Sequence, residues 1–226
     1  MENIEIIYNE VSNILNDDNS GHGMNHINRV VEISKGIAKK ENVNLNLVIA
    51  IALLHDVDDY KIFGEDNSVK LSNTNIILDK TSFSNDEKMT IINYIKTIGY
   101  SKRLEGIVPS NLEAKIVSDA DMLDALGVNG ILRTFQYNLE HNCEFFNKTI
   151  FPNLNMDNKE YKNQKNGTAV NHVFEKILRL KNLMLTETGK IEALKRHNFI
   201  IEFLKEFFYE ENAQEWIDYL DEYTSK

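Results

Sequence analysis

The chain has 226 residues, a length that suits one domain or a core with an appended part, and 42% of them are hydrophobic, enough for a core. Its 35 acidic and 25 basic side chains give a net charge of −10. Such a chain lacks the basic footprint that wraps a nucleic acid backbone, so no polymeric nucleic acid partner is expected, whereas a local basic pocket or a metal ion can still serve a small phosphorylated ligand. Cys143 is the only cysteine, so no internal disulfide forms and a reducing compartment fits. The first twenty residues lack a charged-then-apolar signal pattern, and a cytoplasmic location is expected.

In chain order, residues 3–16 carry Ile4, Ile7, Val11, Ile14 and Leu15 at helical spacing, followed by a turn over 17–23. A second helix begins near His26, which shares a face with Val30, Ile33 and Ile37 and so points inward. A third, over about 46–60, contains an unbroken apolar run, 47–54, that leads into His55 and Asp56. A helix apolar on all sides lies inside the protein. This run is far shorter than the roughly 20 residues that cross a bilayer, so no membrane partner is expected. Further helices are expected over 65–79 and 85–98, then a loop over 99–111 with Gly99, Gly106 and Pro109. A helix resumes near Leu112, through KIVSDADMLDALG, and continues to about Leu139. Residues 142–167, rich in Asn and Lys, read as a long loop and a candidate mobile lid. Two helices, 169–185 and 191–208, follow. No stretch alternates as a half-buried strand does, so the fold class is all-α. The expected organisation is a single domain over 1–226, with a metal core over about 20–140 and a helical part over about 168–226.

A buried helix that ends in an imidazole and a carboxylate must satisfy both, and a metal ion would do so. Adjacent side chains leave a helix about 100° apart, so His55 and Asp56 can converge on one ion at the helix end. The inward face of its helix makes His26 the best third ligand, with His22 the alternative. Asp119, Asp121 and Asp124 compete for the fourth place, and spacing alone does not choose between Asp119 and Asp121.

His26, His55-Asp56 and Asp121 together resemble the H…HD…D signature of the HD-domain metal-dependent phosphohydrolases. The segments GHGMNHINRV, ALLHDVDDYK, KIVSDADMLDALGVNGILR and HVFEKILRLKNLMLTETGK extend the resemblance to a branch of small bacterial proteins similar to nucleotide pyrophosphohydrolases. The resemblance implies an HD-type helical bundle with additional C-terminal helices, and it selects His26 over His22 and Asp121 over Asp119 as ligands. Met122 departs from it, standing where a basic residue is expected.

Two imidazoles and two carboxylates suit one divalent ion: Mn²⁺ by preference, then Fe²⁺, Co²⁺, Ni²⁺ or Zn²⁺, with Mg²⁺ less favoured by imidazole. Such an ion would polarise a phosphoryl oxygen and lower the pKa of a bound water. Asp59, three residues after Asp56, is the candidate base or orienter of the attacking water, and Lys61 a candidate counter-charge to phosphate. His22, Arg133, His172, Lys176, Arg179 and Arg196 are the candidate substrate contacts; His172, Lys176 and Arg179 would line one stripe of a continuous helix. No Walker-type glycine loop is present, so side chains and the ion must hold phosphate.

The expected reaction is hydrolysis of a nucleoside triphosphate, a deoxynucleotide included, to monophosphate and pyrophosphate. The rivals are a phosphomonoesterase acting on nucleoside monophosphates or another small phosphate, and a non-catalytic nucleotide sensor. A signalling phosphodiesterase would carry a Gly-Tyr-Pro extension, and a two-metal oxygenase would need histidines between Asp56 and Asp121; neither is present. The expected partners are a small phosphorylated substrate and, in a homodimer, a second copy of the chain.

Overall fold

A computed structural model describes residues 2–16, 21–155 and 167–225. They are helical, with no strand among the described residues, as the all-α reading expects. No described helix is long and apolar enough to cross a membrane. The chain divides into two compact units, Met1–Met122 and Leu123–Lys226.

The first unit is built around α3 (Leu45–Leu54), which follows α1 (Glu2–Leu15) and α2 (Met24–Ala38). Asn44 caps the start of α3 by accepting from Leu47 N at 3.3 Å. Val48, Ala50, Ile51, Ala52, Leu53 and Leu54 are all buried. They pack against α1 and α2, whose own inward residues include Ile7, Val11, Ile27 and Val30, and against α7 (Asn85–Ile95). At roughly 1.5–3 kcal/mol for each fully buried aliphatic side chain, Val48, Ile51, Leu53 and Leu54 contribute about 6–12 kcal/mol before chain entropy is charged against them. Helix α7 starts with a reciprocal cap between Ser84 and Glu87.

Several expected helices stop early. The third ends at Leu54 rather than near Tyr60, with His55 as its C-cap and a turn through Asp58. Three aspartates in four residues favour turn over helix, and the last turn closes by Val57 N to Leu54 O and Asp59 N to Asp56 O. Short α4 (Tyr60–Phe63) follows. The helix expected over 65–79 is two, α5 (Glu65–Lys70) and α6 (Ser72–Asp79), broken where Leu71 takes a left-handed backbone, φ 50°. The expected loop over 99–111 contains α8 (Tyr100–Leu104).

The division between the units falls in the last turn of α9 (Leu112–Asp124). The helix expected to run on to Leu139 breaks at Gly127, φ 79°, before α10 (Val128–Glu140). A Cβ on Gly130 would lie 2.0 Å from the Ala125 carbonyl oxygen, so the new helix fits against the preceding turn only with glycine there.

In the second unit, the expected helix over 169–185 is α11 (Ala169–Glu175) followed by a 3₁₀ helix (Ile177–Leu183), with Lys176 at φ −129°, ψ −59° between them. Helix α12 (Glu187–Glu210) precedes α13 (Gln214–Ser225), which the apolar spacing did not reveal. Trp216 of α13 is buried, stacks on Phe151 at 4.5 Å and donates from its indole to Lys148 O at 3.0 Å. Phe146, Phe174 and Phe208 complete the aromatic core around it. Within the expected loop, besides the packing of Phe146 and Phe151, Glu144 O and Phe145 O accept from Ala169 N and Val170 N. Residues 156–166 of that expected loop lie outside the described residues.

Candidate metal centre

His26 is the third residue of α2, His55 and Asp56 follow the last residue of α3, and Asp121 lies on α9. Their side chains converge. His26 Nε2 is 3.3 Å from Asp56 Oδ2 and 3.7 Å from Asp121 Oδ1. His55 Nε2 is 3.5 Å from Asp56 Oδ1 and 3.9 Å from Asp121 Oδ1. His22 joins from the other side, with Nδ1 3.0 Å from Asp56 Oδ2. The histidine side chains at 26 and 55 are 1% exposed, and the carboxylates of Asp56 and Asp121 are 14% and 22% exposed. The group is thus sealed on its imidazole side and reachable on its carboxylate side.

The tautomer of His55 decides what this group can hold. Its Nδ1 lies 2.8 Å from the Ala52 carbonyl oxygen, which can only accept. Nδ1 therefore carries the hydrogen, and Nε2 presents a lone pair. That lone pair is buried without a hydrogen-bond partner and faces two carboxylates beyond hydrogen-bonding length. Lone pair against anion is unfavourable unless a cation lies among them. Metal–ligand bonds of about 2.0–2.2 Å set neighbouring donor atoms roughly 3–3.5 Å apart, close to the separations found. The residues therefore fit a divalent cation, as the resemblance implies. The negative end of the α3 dipole, at His55 and Asp56, favours the same sign of ligand.

Burial pushes the Asp56 carboxyl up, but the imidazoles of His55, His22 and His26 around it outweigh burial and hold the group well below the usual carboxylate range. Asp56 is thus ionised and available as a ligand without an external base.

The other candidates fall in various places. Asp119 is fully buried and outside the cluster; burial lowers the pKa of Arg103, and the charge of Asp119 raises it. Asp59 does not share a helix face with Asp56, because both follow the end of α3; its backbone carbonyl accepts from Ile62 N and Phe63 N to start α4. The side chain of Lys61 lies outside the described residues. Met122 is 2% exposed, so an apolar core side chain replaces the expected basic group. In the second unit, Arg133 pairs with buried Asp124 at 2.8 Å, and Arg196 bonds Glu192 and the Leu123 carbonyl. The stripe of His172, Lys176 and Arg179 does not form as one helical face, because α11 ends before Lys176. Arg179 donates to the Leu154 carbonyl and to the Tyr223 hydroxyl.

Sequence reasoning overlooked Asp58. This residue is 3% exposed and accepts four hydrogen bonds: from Asn73 N and Asn67 Nδ2 on Oδ1, and from Thr74 N and Thr74 Oγ1 on Oδ2. It caps the start of α6, whose own N-cap, Leu71, has no side-chain acceptor. Residue type gave no signal for this role, because the helix break at Leu71 that creates the need for a cap is itself not visible in the sequence.

Comparison with known proteins bears on this geometry. Residues 23–126, which include all four converging side chains, match the HD domain family. The Bacillus subtilis protein YpgQ is 30% identical over 209 residues, covering 91% of this chain and 92% of YpgQ. A crystal structure of YpgQ in complex with ADP superposes with a TM-score of 0.70 at 25% identity, over 92% of this chain and 97% of that one. A protein from Lactobacillus plantarum superposes with a TM-score of 0.82 at 33% identity, over 94% and 98% of the two chains. An HD-superfamily hydrolase from Bacillus thuringiensis gives 0.70 at 32% identity, over 94% and 98%.

Proposed function

This chain belongs to the HD-domain family, and from that premise we propose that it is a metal-dependent phosphohydrolase that cleaves nucleoside triphosphates, deoxynucleotides included, to the monophosphate and pyrophosphate. The observation that carries the metal reading is the His55 Nε2 lone pair, buried and aimed at two carboxylates. His26, His55, Asp56 and Asp121 would hold the ion, Mn²⁺ by preference. When bound, it supplies positive charge to a phosphoryl oxygen and acidity to a water. The nucleotide reading draws support from the YpgQ complex with ADP, a relative that this chain matches along most of its length.

The chain's own groups take the remaining tasks. Asp59, half-buried three residues after Asp56, accepts the proton of the attacking water. His22, hydrogen-bonded to Asp56 through Nδ1, orients that carboxylate and is proposed as a substrate contact. His172 and Lys176 are proposed as further substrate contacts, and Lys61 as a counter-charge. Arg133 and Arg196, engaged with Asp124, Glu192 and Leu123, are better suited to holding the second unit's own structure.

The test is turnover of a nucleotide panel by the purified chain with Mn²⁺, with phosphate and pyrophosphate read separately. Pyrophosphate release from triphosphates, abolished by chelation and by His55→Ala, is the expected result. Phosphate alone from monophosphates would replace this reading by a phosphomonoesterase. Nucleotide binding without turnover across the divalent ions would replace it by a sensor.

A further inference from the structure

A cavity of about 330 Å³ lies wholly within the second unit, among the 3₁₀ helix, α12, α13 and Leu154. It shares no lining residue with the histidine–aspartate cluster. Two cations line it, Arg179 and Lys181. Neither makes an ion pair among the described residues. Arg179 donates to the Leu154 carbonyl and to Tyr223, and Lys181 Nζ lies 3.0 Å from His197 Nε2. An ammonium has no lone pair, so it donates and His197 Nε2 accepts. Burial, then the charge of Lys181, pushes the His197 pKa down to about 4, so the ring is neutral. Two half-buried positive groups thus border one cavity in a chain whose net charge is −10.

The wall contributed by α13 is different. Tyr219 stands edge-on to Phe174 and Phe151, at 5.3 and 5.4 Å between ring centroids, and Tyr223 stands edge-on to Phe174 at 5.3 Å. These packed rings present a rigid aromatic surface at low entropic cost. Exposed Asn182 adds an amide at the rim. Glu222 of α13 also lines the cavity, so an anionic head belongs on the Arg179 and Lys181 side, away from that carboxylate, and a cavity of this size suits a small ligand with such a head and a planar body.

We propose that this cavity is a second ligand site, which takes a small phosphomonoester of nucleoside monophosphate size, its phosphate on Arg179 and Lys181 and its ring against Tyr219. The inference stands apart from the metal-dependent reaction and is tested without metal. Adenosine monophosphate is titrated calorimetrically into the chelator-treated full chain, with inorganic phosphate in a parallel arm. Trp216, the only tryptophan, has its ring centroid 6.0 Å from that of Tyr219 and gives an independent fluorescence readout.

The expected result is saturable one-to-one binding of the monophosphate, tighter than that of phosphate and unchanged in His55→Ala. Lys181→Met should weaken it at least tenfold. Should that variant fail to fold, Asn182→Asp at the exposed rim places a carboxylate beside the anion and should weaken it similarly. Loss of binding in His55→Ala, equal affinity for phosphate and the monophosphate, or unchanged affinity in folded Lys181→Met or Asn182→Asp would overturn the assignment.

Discussion

Replacing Asp58 separates a structural carboxylate from the neighbouring carboxylate proposed to hold metal. In Asp58→Ala, the buried Thr74 loses acceptors for both its backbone N–H and its hydroxyl, and Asn73 N loses its own. A lost helix cap costs about 1 kcal/mol. Each buried donor left unsatisfied costs about 1–3 kcal/mol. With partial relief by water at Asn73 and Asn67, the total is about 3–5 kcal/mol. Asp58→Asn keeps one acceptor oxygen but turns amide hydrogens toward donors, and should cost about 2 kcal/mol. Asp56→Asn keeps an acceptor for His22 but removes a charge that the surrounding imidazoles stabilise, so the metal-free chain should lose less stability than in Asp58→Ala while metal affinity collapses. Urea unfolding of chelator-treated protein, followed by far-ultraviolet circular dichroism, reads the difference. With a slope of about 2–3 kcal/mol per M, Asp58→Ala should move the midpoint by more than about 1 M. A shift below about 0.3 M, or a larger one in Asp56→Asn, would refute the division of labour between these two carboxylates.

Asp121→Asn should lower Mn²⁺ affinity by more than about a hundredfold, beyond the typical cost of losing a group that merely supports a ligand, whereas Asp119→Asn should stay within about tenfold and lower stability instead; calorimetric metal titration compares them, and the reverse ranking would transfer the ligand role to Asp119. The pKa of His197 falls from an ordinary 6.5 to about 4 on folding, so between these values the unfolded chain takes the proton first. That contribution is fully present above pH 6.5 and is lost as pH falls toward 4. It is on the order of 3 kcal/mol at full value and about 2 kcal/mol after solvent screening, and the stability difference between neutral and acid pH should shrink by that amount in His197→Gln. Gly130→Ala should cost about 2–4 kcal/mol, because the new methyl meets the Ala125 carbonyl, while Gly36→Ala within α2 meets nothing within 4 Å and should be neutral or stabilising; equal melting temperatures for the two would contradict the packing at the start of α10.

Periodicity placed most helices but not their ends, for identifiable reasons. The run of apolar residues marked α3 as the core helix, yet its end depends on competition between helix and turn at His55-Asp56-Val57-Asp58, which apolar spacing does not weigh. The break at Leu71 is invisible to residue type, since leucine seldom adopts a positive φ. Gly127 and Gly130 did carry a signal, but KIVSDADMLDALGVNGILR continues the helical spacing across them. Helix α13 escaped notice because its few apolar residues sit among acids, and its burial depends on aromatic partners as distant in sequence as Phe146 and Phe151. The stripe of three cations failed through a single residue, Lys176, whose backbone ends α11 and re-aims Arg179.

The histidine–aspartate cluster was more legible than its surroundings because its chemistry leaves few choices. An apolar helix that terminates in His-Asp puts an imidazole and a carboxylate where the last-turn carbonyls lack backbone partners. His55 uses one of those carbonyls, that of Ala52, to fix its own hydrogen. The helix end thereby settles which nitrogen faces inward, and the ring cannot satisfy it by turning without giving up the carbonyl. The remaining lone pair, the anionic carboxylates and the negative end of the helix dipole all call for positive charge at one point. A phosphate would be repelled there on its own. It can approach only where a cation occupies that point, whether the ion arrives first or together with the phosphate. Nucleotide affinity at this cluster should therefore rise with divalent metal concentration, whereas affinity at the Lys181 cavity should not.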